Sequence, residues 1–185
     1  MEKNIFSSEK KLAFYLKKFG IKTENWGKGS AKNVGNLFKE ISRRESILCE
    51  KNGRIVREIR VAGINVVFQK GKNHYRLHED RQEFTDGRIR KRIIANSLAE
   101  KFKGDESPKK AAKRALNEEL GIDEKTDIRK TGKRIEIRDS LSYPGLKTRY
   151  IIYEFTVHLS PEQFSISGYT EHEKDLTVYF KWKKQ

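Results

Sequence analysis

Residues 100–122 constrain this chain more than any other stretch, because they carry the signals that start and stop a helix. Ser107 can cap the first turn, since a serine oxygen accepts a hydrogen bond from a backbone N–H that lacks a partner inside the helix. Pro108 suits the first helical position, where its missing N–H costs nothing. Gly121 can take the left-handed conformation that closes the far end. Between them Ala112, Leu116 and Leu120 recur every fourth residue as one apolar stripe. Glu118 and Glu119 lie off that stripe. A loop, a short capped helix and two adjacent carboxylates suit a hard cation held near phosphates.

The spacing of this stretch resembles the Nudix box, the loop–helix signature of hydrolases that cut nucleoside diphosphates linked to another group. Glu106, Arg114, Leu116, Glu118, Glu119, Gly121 and Ile122 stand at matching positions, ungapped over the core of the signature. There are two departures. Ala115 replaces a glutamate that binds metal in the family, and Ala99 and Glu100 stand where glycines are usual. The resemblance implies Mg²⁺ or Mn²⁺ as cofactor, ligated by Glu118 and Glu119 with help from Glu106 or Glu100. Arg114 would orient the glutamates by charged hydrogen bonds. The family also supplies a carboxylate from a loop before a late strand, as a last ligand or general base. Glu171 and Glu173 both occupy that kind of place, and no motif chooses between them.

Charge widens the reading. Lys and Arg number 41 against 26 Asp and Glu, a formal net charge of +15, which favours polyanions such as RNA or nucleotides. Arg81, Arg88, Arg90 and Arg92 precede the box and can meet phosphates bidentately, and Tyr143 is a candidate to stack on a base. Trp26, in a glycine-containing basic loop, reads as packed on its own domain. The single cysteine, Cys49, leaves no internal disulfide and no cysteine-based metal site. No long apolar run suggests a membrane span, so a reducing, cytoplasm-like compartment is expected.

The rest of the pattern predicts a helix over 7–20 and a second one capped by Ser30, with Val34, Leu37, Phe38 and Ile41 as its apolar face. Strands follow over 46–50 and 55–61, around the hairpin signal Asn52-Gly53, then over 63–70, 75–84 and 88–94. Beyond the box, strands are predicted over 128–138, 148–159 and 176–182, with 171–175 an exposed acidic loop. The expected architecture is an α/β sandwich around a mixed sheet over 46–185, with a helical extension over 1–45. Two functions follow. One is a metal-dependent hydrolase of a nucleoside diphosphate derivative. The other, to which Ala115 and the net charge point, is a Nudix-fold module that binds a nucleotide or RNA without cutting it. Members of the family are often dimers, so a homodimer is expected.

Overall fold

A computed structural model describes residues 6–29, 31–92 and 94–185. It is an α/β chain, mostly β, with three helices and nine strands among the described residues. The strands β1 (Ile47–Lys51), β2 (Arg54–Lys70), β3 (Asn73–Phe84), β4 (Ile89–Arg90), β5 (Leu98–Lys101), β6 (Arg129–Asp139), β7 (Lys147–His158), β8 (Tyr169–His172) and β9 (Leu176–Lys184) hydrogen-bond in the order β6-β7-β2-β3-β9-β8, with β1 and β5 also on β2 and β4 on β3. The chain divides into two compact units. One holds the described residues up to Arg60 with Lys101–Glu106 and Arg134–Ile152; the other holds Val61–Glu100, Ser107–Lys133 and Tyr153–Gln185. No helix among the described residues is long and apolar enough to cross a membrane.

The first unit is built around two capped helices. In α1 (Glu9–Lys18) the Ser8 hydroxyl accepts from the Lys11 N–H at 3.3 Å, and Leu12 and Leu16 are buried. The cap expected at Ser30 lies outside the described residues. The observed cap of α2 (Val34–Ser42) is Asn33, whose side chain accepts from the Asn36 N–H at 2.8 Å while Asn36 returns the bond at 3.0 Å. That reciprocal pair satisfies two donors at once. Leu37 and Ile41 join Leu12, Leu16, Trp26, Leu48, Ile55, Tyr143 and Leu146 in one apolar core. β1 (Ile47–Lys51) returns as β2 through Asn52 and Gly53, both at positive φ (51° and 68°), as a tight hairpin requires.

Glu40 is buried in this unit. Arg57 reaches it at 2.5 Å, Lys32 at 2.8 Å and Lys101 at 3.6 Å. Burial pushes the Glu40 carboxyl upward, but these cations outweigh it and hold the group down to about 2.

β2 (Arg54–Lys70), whose residues from Val61 on belong to the second unit, is one strand where two were expected. Gly63 does not break it. Its missing side chain admits Asn96, whose Oδ1 would lie 2.5 Å from a Cβ at that position. β3 (Asn73–Phe84) pairs with β2 from Val67↔Arg76 to Lys70↔Asn73. Beyond that register the buried Ser97 hydroxyl accepts from Val66 N–H at 3.0 Å and donates to Leu77 carbonyl at 2.6 Å. Ser97 thereby leads directly into β5 (Leu98–Lys101).

Of the strand expected over 88–94, in which residue 93 lies outside the described residues, the structure shows β4 (Ile89–Arg90), paired with Gln82 and Glu83 of β3. α3 (Pro108–Leu120) begins and ends where its caps predict: Ser107 accepts from Lys110 N–H at 3.2 Å, and Gly121 is left-handed at φ 66°. β6 (Arg129–Asp139) and β7 (Lys147–His158) follow. β8 (Tyr169–His172) takes in the first part of the acidic segment expected to be a loop, and pairs with β9 (Leu176–Lys184).

Candidate functional site

α3 turns its apolar stripe inward, burying Ala111, Ala112, Ala115, Leu116 and Leu120. Its last turn then carries Glu118 and Glu119 to a cavity of about 270 Å³ that lies wholly within the second unit. Six glutamates line it: Glu79 from β3, Glu100 from β5, Glu118 and Glu119 from α3, Glu171 from β8, and Glu173 just beyond β8. Gln82, Arg90, Arg92, Ala99, Leu176 and Val178 complete the lining. A larger cavity of about 400 Å³ in the first unit holds one carboxylate, Glu9, so acid chemistry is not concentrated there.

Two arginines tie the carboxylates in place. Arg114, largely buried, donates to Glu100 at 2.9 Å and to Glu118, one turn along α3, at 2.8 Å. Arg92 Nε donates to Glu79 at 2.8 Å, and its Nη2 to the other oxygen of the same carboxylate. Glu119 and Glu171 are half-buried and have no ion-pair partner among the described residues.

Their protons reflect this. Burial, then the charges of Glu171, Glu100 and Glu79, push the Glu119 carboxyl up to about 8. Burial and the charges of Glu173, Glu100, Glu118 and Glu79 push Glu171 up to about 7. Carboxylates crowded together in low dielectric cannot all ionise unless a positive charge joins them.

Among the described residues no three Asp, Glu, His or Cys side chains are gathered tightly enough to hold an ion as they stand. The donor set nevertheless fits a hard divalent cation: oxygen donors only, with two carboxyls of raised pKa and no cationic partner.

Of the residues singled out from sequence, Glu100, Glu118, Glu119, Glu171, Glu173, Arg90 and Arg92 meet in this cavity. Others lie elsewhere. Glu106 belongs to the first unit, where its Oε1 accepts from the Lys103 N–H at 2.6 Å. Arg81 is engaged by Asp80 at 2.9 Å and Glu83 at 2.7 Å, and lies 4.0 Å over the Tyr179 ring. Arg88 pairs with Asp86 at 2.7 Å. Tyr143 is fully buried in the core of the first unit, 5.1 Å from Trp26 and 5.0 Å from the Arg57 guanidinium, with no surface left on which a base could stack. Trp26 is packed as expected, its Nε1 donating to the Pro144 carbonyl at 2.9 Å.

Sequence reasoning missed Glu79 and Gln82. No local sequence signal marks them; their placement follows from a break in phase of the folded strand. Leu77 and Glu79 alternate inward on β3, and the next inward residue is Gln82 rather than residue 81. A bulge between Glu79 and Arg81 causes it, by inserting Asp80 without a partner on β9.

No family model and no curated protein matches this chain. Solved structures do align with it. An Ap4A hydrolase from C. elegans aligns at 13% identity and TM-score 0.40, over 67% of this chain and 78% of its own. A binary complex of a C. elegans Ap4A hydrolase aligns at 11% and 0.39, over 68% and 78%. The E. coli ORF135 protein in solution aligns at 17% and 0.27, over 67% and 73%. Likeness this slight carries no weight for substrate or chemistry, which rest on the residues themselves.

Proposed function

We propose that this chain is a Nudix-type α/β-sandwich hydrolase, dependent on a divalent cation, that cuts a nucleoside diphosphate linked to another group. One observation carries the reading. α3, with the spacing of the Nudix box, delivers Glu118 and Glu119 to a cavity where four further glutamates converge. Glu118, Glu119 and Glu100 would hold the cation, with Glu171 or Glu173 as a further ligand. Mg²⁺ or Mn²⁺ in such a place supplies the positive charge that polarises a phosphate and acidifies water. Arg114 fixes two of the carboxylates, Glu100 and Glu118. Whichever of Glu171 and Glu173 is not a ligand is placed to take a proton from water.

Ala115 favours a second reading, a module that binds nucleotide or RNA without cutting it. It stands at the family's metal-binding glutamate position and is fully buried.

Calorimetry with Mg²⁺ and Mn²⁺, paired with phosphate release from nucleoside diphosphate derivatives, separates the two. The hydrolase reading expects cation binding and turnover in the wild type, both lost in Glu118→Gln/Glu119→Gln. Cation binding without turnover on any such derivative selects the second reading. Absence of cation binding at millimolar concentration overturns the first outright.

A further inference from the structure

Glu79 and Gln82 do more than line the cavity. Residues three apart face opposite sides of a regular strand. The bulge at Asp80 brings both to the inner face of β3. Each then grips an arginine of the following segment. Gln82 Oε1 accepts from Arg90 Nε at 2.8 Å and also from Arg90 Nη2, across the β3–β4 pair. Glu79 takes Arg92 through two parallel bonds. Arg90 and Arg92, two residues apart, line the same cavity. Beyond these braces neither side chain makes another hydrogen bond among the described residues.

The braces differ in charge. Glu79 compensates Arg92, whereas the neutral amide of Gln82 leaves the charge of Arg90 whole. A cavity lined by six carboxylates repels a bare polyphosphate, so an uncompensated guanidinium decides where an anionic group can enter. Building on the hydrolase reading above, we infer that Glu79 and Gln82 are positioning residues that set Arg90 and Arg92 as a phosphate subsite beside the carboxylates. Arg90 supplies the attraction and Arg92 the shape.

The test is calorimetric titration of the full chain with inorganic diphosphate in Mg²⁺, alongside Mg²⁺ alone. Arg90→Gln removes the charge, and Gln82→Glu cancels it while keeping the brace. Each is expected to weaken diphosphate binding by about tenfold or more, the usual worth of a charge-assisted hydrogen bond. Arg88→Gln, outside the cavity, serves as control and stays within about twofold, because a surface pair contributes little. Where turnover is measurable, Gln82→Glu raises KM by a larger factor than it lowers kcat.

Equal diphosphate affinity in wild type, Arg90→Gln and Gln82→Glu overturns the subsite, even if Mg²⁺ binds and hydrolysis proceeds. So does an absence of diphosphate binding in the wild type. A loss in Arg90→Gln alone overturns the positioning role of Gln82. Diphosphate binding that depends on Arg90 in a protein that takes up no cation keeps the subsite and removes the hydrolase reading.

Discussion

Glu119 illustrates how a single carboxyl couples stability, cation uptake and pH. Its pKa in the folded chain is about 8, against an ordinary value of 4.5. The folded state therefore holds a proton that the unfolded chain releases, and stability falls as pH rises from the ordinary value through the folded one. Replacing the group by Gln removes that slope. Between about pH 5 and about pH 8.5 the wild-type thermal midpoint should drop by several degrees more than that of Glu119→Gln, at roughly 2–4 °C per kcal/mol for a chain of this size. Mg²⁺, by displacing the proton, should narrow the difference. Parallel pH curves for the two proteins would sink the idea. Glu118 and Glu119 were legible in the sequence because their spacing from the helix caps fixes where they emerge. Glu79 and Gln82 were not, because their inward placement depends on a bulge that no local residue announces.

Among the elements, α3 is the one whose sequence determines most of its structure. Cap, first-position proline, apolar stripe and left-handed terminus all appear where the pattern puts them. Ser107→Ala removes the bond to Lys110 N–H and should cost about 1 kcal/mol. Gly121→Ala meets no neighbouring atom within 4 Å, so its cost, about 1–2 kcal/mol, is that of holding an L-residue at positive φ. Denaturant midpoints of the two variants check both figures; an unchanged midpoint for Gly121→Ala would mean that the terminus relaxes. The strands were less legible. Gly63 reads as a punctuation mark but serves as a seat for Asn96, and β8 runs into an acidic stretch whose strand form comes from pairing with β9. In each case the deciding contact is distant in sequence.

Across the whole molecule the two units respond to pH with opposite sign. Glu40 of the first unit, held near 2 by its cations, contributes stability above 4.5 that is lost as pH falls toward 2. Glu119 of the second unit acts at the alkaline side. Each unit carries one of the chain's two tryptophans, Trp26 in the first and Trp182 in the second. Fluorescence of a Trp182→Phe variant should therefore show the acid transition, and that of Trp26→Phe the weakening at high pH. Identical profiles from both reporters would mean that the units unfold as one. Neither unit is a continuous stretch: the backbone changes unit after residues 60, 100, 106, 133 and 152. During synthesis, then, the first unit cannot close until residue 152 has left the ribosome, although its helices emerge first. Its Leu12 and Leu16 must wait, exposed, for the Tyr143 and Leu146 that complete their core. A chain threaded in this way gives a nascent-chain chaperone something to hold for most of its length.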